Sequence, residues 1–176
     1  MKTLFPESPS LRGNGVTLHA VTAADGPALQ AFTKSDAVYR YLPTFLFERR
    51  YPDVETVIAR LYTEAMEESL ILGVYRNGEF CGLAEFYGYK AHINKISVGY
   101  RLAESCWGKG TATEALRLMV DLLYAKPPIE IITASTMVEN KASARVLQKN
   151  GFTLVVEGAE EDWGYPTPTK ADKWIN

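Results

Sequence analysis

The pair Asn77-Gly78 constrains this chain more than any other two residues. A two-residue type I′ turn needs positive φ at both central positions, and Asn followed by Gly adopts it at least cost. The flanking runs, Leu70 to Arg76 and Glu79 to Tyr89, are strand-like, so the pair predicts an antiparallel hairpin. A third run, Ile96 to Leu102, puts Ile96, Val98, Tyr100 and Leu102 on one face and Ser97, Gly99 and Arg101 on the other. Three such strands form a meander whose faces need helices to cover them.

Helical and strand signals lie on either side. Val16, Leu18 and Ala20 alternate with Thr17 and His19 as a first strand, and Thr22 with Asp25 reads as a capping box for a helix towards Lys34. A short helix is predicted over Asp36 to Leu42, ended by Pro43. Val54, Val57, Ile58, Leu61, Tyr62 and Ala65 recur at helical spacing, which predicts one helix across Pro52 to Ser69. After the meander come a glycine-containing loop, a helix from Gly110 to Tyr124 stopped by Pro127-Pro128, and a strand from Ile129 to Val138. A helix from Asn140 to Asn150, a strand from Phe152 to Glu157 and a last strand over Lys170 to Ile175 complete the chain. Alternating helices and strands imply crossovers and a parallel component. The expected architecture is a single mixed α/β domain over residues 1–176.

Composition narrows the partners. The 176 residues are 47% apolar and 23% charged, enough to bury a core, which excludes general disorder. With 19 basic and 21 acidic side chains the net charge is -2, without the basic footprint of a nucleic-acid binder. The longest apolar stretch, around Leu70 to Tyr75, falls far short of the roughly 18 residues that span a bilayer. Pro6 and Glu7 interrupt the start before a signal-peptide core could form. Cys81 and Cys106 lack a CxxC spacing and are expected as free thiols in a reducing compartment; with His19 and His92 they make no metal-ligand pattern. A soluble, cytoplasmic protein with a small-molecule or protein partner, and no nucleic acid or membrane, is expected.

The segment Trp107-Gly108-Lys109-Gly110-Thr111-Ala112-Thr113-Glu114-Ala115 joins the third meander strand to an amphipathic helix. A glycine-rich turn feeding a helix start presents backbone N–H groups at the positive end of the helix dipole, which suits a phosphate. It is not a nucleotide P-loop, because Lys109 is followed by Gly110 where Ser or Thr is required. Nor is it a dinucleotide fingerprint: position 113 is Thr, and the preceding strand belongs to a meander.

That segment, with Gly99-Tyr100-Arg101-Leu102-Ala103-Glu104 before it, resembles the acetyl-CoA pyrophosphate loop of the GNAT superfamily of N-acetyltransferases. The pattern Q/R-x-x-G-x-G/A falls on Trp107, Gly110 and Ala112, and Trp at the first position is typical of the branch that acetylates N-termini of ribosomal proteins. A second match runs from Asn140-Lys141-Ala142-Ser143 to Lys149-Asn150-Gly151-Phe152, and the resemblance covers residues 10 to 176. It implies a GNAT-like fold, a mixed sheet whose antiparallel N-terminal part meets parallel strands splayed at the CoA site. Acetyl-CoA is the implied cosubstrate: its pantetheine would pair with the backbone of Tyr100, Arg101 and Leu102, and its pyrophosphate would sit on the amides of Gly108 to Thr113, near Lys109. Asn140 belongs to the same cofactor-binding set. Arg145 and Lys149 are either 3′-phosphate contacts or a solvated face.

Acyl transfer from a thioester to an amine needs a neutral amine, a donor for the oxyanion and a proton for the departing thiolate. The tyrosine that the superfamily often uses as acid would fall at Leu147, so the resemblance implies Ser143 in its place, with an alternative reading as a polar first-turn residue. Leu147 is instead placed to touch Phe152 across a Schellman motif closed by Gly151. Glu85 is the one carboxylate within its strand, on the face expected to carry Cys81, Leu83 and Tyr87, and is the candidate base; a water near Ser97 and Gly99 would serve as well. At pH 7 about one-tenth of an α-amine is neutral, against about one lysine ε-amine in two thousand, so a weak base suits an α-amine. Cys106 as a covalent acyl carrier lacks a paired base nearby.

The resemblance places Tyr39, Tyr41, Phe45, Phe47 and Tyr51, with Arg40, Arg49 and Arg50, over the acceptor site, facing Glu160 to Tyr165. The expected activity is acetylation of a primary amine, the α-amino group of a peptide or protein, by a monomer or homodimer. The alternatives are a small-amine acetyltransferase acting on a polyamine, antibiotic or amino acid, and a non-catalytic CoA-binding sensor.

Overall fold

Hydrogen bonding across the Asn77-Gly78 turn organises the sheet. In the computed structural model, which describes residues 1–126 and 129–176, these two residues have φ of 52° and 87° and join β3 (Ser69–Arg76) to β4 (Glu79–Lys90). The third meander strand is β5 (Lys95–Leu102). Before them come β1 (Leu11–Arg12), ahead of the first strand expected from the sequence, and β2 (Val16–His19); after them come β6 (Ile131–Met137), β7 (Thr153–Glu161) and β8 (Thr169–Ile175). The eight strands lie in the order β1-β2-β3-β4-β5-β6-β8-β7. Every neighbouring pair is antiparallel except β5 and β6, which run parallel. The last strand inserts between β6 and β7, so the expected parallel component reduces to a single ladder.

Helices cover both faces. On one face α1 (Gly26–Thr33), α2 (Asp36–Tyr39) and α3 (Val54–Leu61) bury Leu29, Phe32, Val57 and Leu61 with Ile71 and Leu83 of the sheet. On the other, α4 (Thr111–Tyr124) and α5 (Lys141–Lys149) pack Leu116, Met119 and Leu147 against Leu70, Phe86, Ile96 and Val98. The proposed stop of α4 at Pro127-Pro128 lies outside the described residues.

Two expectations need correction. The helix expected across Pro52 to Ser69 is only half that length. Asp53 caps its start by accepting from the Thr56 N–H at 2.7 Å, but after Leu61 the Thr63 N–H bonds the Arg60 carbonyl and the Tyr62 hydroxyl accepts from the Val21 N–H at 2.6 Å. A separate 3₁₀ turn, Ala65–Glu67, then swings the chain into β3; Ala65 and Met66 stay buried, so the apolar positions held while the period tightened.

The cysteines are the other correction. Cys81 and Cys106 form a disulfide with their Cα atoms 5.9 Å apart, so neither is a free thiol, and Cys106 has no thiol for an acyl-carrier role. The pairing also withdraws the cysteines as an argument for a reducing compartment. It is possible because β4 carries a bulge: Gly82 opposes Val74 and Phe80 opposes Tyr75, leaving Cys81 as the extra residue. Cys81 therefore joins the α4 side of the sheet, not the face of Glu85 and Leu83 expected from strict alternation.

Candidate active site

The parallel ladder between β5 and β6 is short. It pairs Lys95 with Ile131, Ile96 with Ile132 and Ser97 with Thr133, and then stops. Beyond Ser97 the strands separate, and the edge of β5 from Val98 to Leu102 faces the gap while its other edge stays paired with β4. A cavity of about 1220 Å³ occupies this gap and is lined by residues from both faces of the sheet. Its wall includes Tyr100, Leu102, Trp107, Gly108, Ala112, Asn140 and Ser143 from one side and Glu85, Tyr41 and Trp163 from the other.

The loop after β5 is tied down at several points. The Ala103 N–H donates to the Cys81 carbonyl at 2.8 Å, and the Trp107 indole N–H reaches back to the Leu102 carbonyl at 2.7 Å. Gly108 and Gly110 have φ of 69° and 77°, the left-handed region, and a Cβ at either would meet nothing within 4 Å. Glycine is therefore required there by backbone conformation and leaves the loop face open. The first helical bond of α4 runs from the Glu114 N–H to the Gly110 carbonyl at 3.0 Å. Among the described residues, no protein acceptor meets the preceding N–H groups of Thr111, Ala112 and Thr113, the arrangement at a helix start that suits an anion. Lys109 is exposed at the loop tip and does not line the cavity; Thr111 is buried, its hydroxyl accepting from Arg76 at 3.4 Å. Arg145 and Lys149 are exposed on α5 and stand away from the cavity wall.

Ser143 sits in the first turn of α5. Its N–H donates to Oδ1 of the N-cap Asn140 at 3.1 Å, and its hydroxyl lies 3.0 Å from that of Tyr100. Burial pushes the Tyr100 phenol up to about 12, with the Ser143 bond acting in the opposite direction, so the phenol stays protonated at neutral pH. The position one turn beyond Ser143 is the buried Leu147, and the Phe152 N–H donates to its carbonyl at 3.1 Å in the helix-ending turn with Gly151 at φ 80°. The Tyr100 hydroxyl was not legible as a site group, because strand alternation assigned it simply to an apolar face.

Across the strand, Glu85 pairs in register with Gly99, so it emerges on the α1–α3 face, opposite Tyr100 and Ser143. The side chain of Arg101 lies on the Glu85 face and is directed away from the loop: Nη1 donates to Glu85 Oε2 at 2.8 Å, while Nε and Nη2 both donate to Glu48 at 2.6 Å. Arg101 can therefore offer a cofactor only its backbone, the part of the residue that the sequence reading assigned to that role. Burial opposes its charge, but Glu48 and Glu85 more than offset this and push the guanidinium further up. Glu48 escaped the sequence reading; its one signal was a carboxylate inside the aromatic run from Phe45 to Tyr51.

The segments Tyr39 to Tyr51 and Glu160 to Tyr165, expected to face each other, are in contact. The Thr44 N–H donates to the Trp163 carbonyl at 2.9 Å, and the Tyr165 hydroxyl donates to the Leu42 carbonyl at 2.7 Å.

A split parallel pair beside a glycine loop and a helix start defines a class, and the sequence comparison agrees. Residues 16–153 match the acetyltransferase (GNAT) domain family, and the chain belongs to it. An uncharacterised N-acetyltransferase of Bacillus subtilis (strain 168), YoaA, is 26% identical over 168 residues, covering 93% of each chain. The fold is shared with RimL, a ribosomal L7/L12 alpha-N-protein acetyltransferase, at a TM-score of 0.79 and 16% identity, covering 96% of this chain and 94% of that one. RimJ of Mycobacterium smegmatis, solved with CoA-disulfide, superimposes at 0.77 and 23% identity, covering 97% and 88%. The protein is thus a GNAT-type acetyltransferase with acetyl-CoA as its cosubstrate, and the open β5 edge and unpartnered α4 amides fit that molecule's amide-bearing arm and pyrophosphate. No helix among the described residues is long and apolar enough to cross a membrane.

Proposed function

We propose that the protein transfers an acetyl group from acetyl-CoA to the α-amino group of a peptide or protein. One observation carries the reading: the Ser143–Tyr100 hydroxyl pair and the Glu85 carboxylate stand on opposite faces of β5, on either side of the gap. The donor binds from the α4–α5 face, along Tyr100 to Leu102 and on the amides of Gly108 to Thr113, with Asn140 holding Ser143 in place. The acceptor amine approaches from the α1–α3 face, and the acetyl group passes between them.

Glu85, directly or through a water, takes the proton of the attacking amine. A backbone N–H near Leu102 receives the oxyanion of the tetrahedral intermediate. As the carbon–sulfur bond breaks, its electron pair goes to sulfur, Ser143 donates a proton to the thiolate, and the Tyr100 hydroxyl replaces it; solvent reprotonates the tyrosinate. The second hydroxyl supplies the acid that Leu147 cannot. A weak carboxylate base suits an α-amine, whose ordinary pKa leaves about one-tenth of it neutral at pH 7, and RimL, which has the same fold, acetylates the α-amine of a protein. We place residues 1–176 in one acetyltransferase domain acting in the cytoplasm as a monomer or homodimer, without nucleic acid or membrane.

The test is thiol release from acetyl-CoA with peptides carrying free or blocked N-termini and with small amines. Turnover with free N-termini that disappears on blocking, even in lysine-containing peptides, is the expected result. Turnover with small amines alone would refute the acceptor, and silence with every amine despite CoA binding would leave a sensor.

A further inference from the structure

The ion triad beneath Glu85 is not explained by stability. Arg101 and Glu48 have side chains 3% and 0% exposed, and Glu85 is 14% exposed at the cavity wall. Buried charges lose hydration that their attraction barely returns, and apolar residues of similar volume often serve as well or better. The geometry is also asymmetric. Arg101 grips both oxygens of Glu48 side-on, yet only Oε2 of Glu85, and among the described residues no protein group hydrogen-bonds Glu85 Oε1. Glu48 is itself fixed by the Tyr39 hydroxyl, which donates to its Oε1 at 3.0 Å.

We infer that Glu48 and Arg101 are positioning residues for the acetyl transfer: Arg101, locked by Glu48, holds Glu85 with one oxygen turned to the acceptor amine. This rests on Glu85 being the base. Two carboxylates share one guanidinium, so Glu48 tempers the pull of Arg101 on Glu85 and leaves the cluster with a net charge of -1 on the amine side. The other groups around Glu85 come from five elements, the 3₁₀ turn Phe47–Arg49 among them. They are Tyr39 of α2 behind Glu48, with the Arg49 guanidinium 4.6 Å from its ring centre, Tyr87 of β4, Glu161 of β7, and Lys173 of β8, which is ion-paired to Glu161. Burial and the charges of Glu85 and Glu161 push the Tyr87 phenol up, so it adds no charge near neutrality.

Two substitutions at the clamp should act in opposite directions. Glu48→Gln frees the whole Arg101 charge for Glu85, so the acidic limb of the kcat/KM profile moves down in pH. The double variant Glu48→Gln with Arg101→Met leaves Glu85 without its cation, and the limb moves up in pH. Replacing Glu48 together with Arg101 avoids leaving Glu48, the fully buried member, without a partner, and thermal melting confirms folding. The Glu85 carboxyl ¹³C shift, titrated by NMR and assigned with Glu85→Gln, reads the same displacements without turnover. If Glu85→Gln abolishes the limb but neither clamp variant moves it or the ¹³C titration, the positioning inference is overturned while the base stands. If the limb survives in Glu85→Gln while the carboxyl titration moves as stated, the base is refuted and the coupling remains.

Discussion

Tyr100→Phe is the sharpest perturbation of the proposed chemistry. It removes one oxygen, whose partner is the Ser143 hydroxyl at 3.0 Å, and keeps the ring that packs between β5 and α5. A neutral intramolecular hydrogen bond contributes about 0.5 to 1.5 kcal/mol, so the fold should survive with a small drop in melting temperature. Catalysis should suffer more. General acid assistance is worth about 10² to 10⁴-fold, and a residual path from Ser143 and water puts the expected loss in kcat near 10². The KM for acetyl-CoA should change little, because the β5 backbone and the α4 amides are untouched. The assay is thiol release under saturating acceptor, on the single variants Tyr100→Phe and Ser143→Ala and on their combination. A relay makes the double variant no worse than the poorer single one. Independent losses that multiply, or a Tyr100→Phe enzyme within twofold of the parent, would refute the relay.

Other consequences follow from the same geometry. The Cys81–Cys106 bond closes a loop of sequence separation 25, for which chain entropy gives about 3.5 kcal/mol, so reducing agent or Cys106→Ser should lower the denaturant midpoint accordingly. Gly110→Ala must hold φ at 77° and should raise the KM for acetyl-CoA with little change in acceptor KM, read by steady-state kinetics. Asn140→Ala removes the N-cap of α5 and should cost about 1 kcal/mol in urea unfolding. Burial pushes the phenols of Tyr39, Tyr62, Tyr75, Tyr87 and Tyr100 up, which favours their neutral forms in the folded state. Stability from them is full below about pH 10, the unfolded tyrosine value, and falls as pH rises through about 12, where Tyr62 and Tyr100 ionise. Urea midpoints measured across that range should decline, and a flat profile would contradict the assignment.

Local signals carried much of this structure. Asn77-Gly78 announced the meander because turn chemistry is a property of adjacent residues, and Asn140 and Gly151 marked the ends of α5 for the same reason. The glycine loop was legible because positive φ and helix-start amides are encoded within a few positions. The clamp was not, since Glu48 and Arg101 lie 53 positions apart and meet only once β5 is in register and the 3₁₀ turn Phe47–Arg49 is folded against it. Alternation put Arg101 on the face of Ser97 and Gly99 but gave it no partner. It misplaced Cys81, because that residue is itself the bulge, which shifts the face of every residue before it, and a bulge depends on the facing strand. The Pro52 to Ser69 helix failed similarly: its stripe was real, but the route into β3 forced a tighter turn.

The central claim is that donor and acceptor meet through the gap between β5 and β6. A crystal structure with a bisubstrate compound, CoA joined through its sulfur to the α-amine of a short peptide, tests it most directly. The sulfur is expected within hydrogen-bonding distance of the Ser143 hydroxyl, the pantetheine amides on the Val98 to Leu102 edge, and the peptide leaving on the Glu85 side. A sulfur remote from Ser143, or a peptide running out on the α4–α5 face, would contradict it.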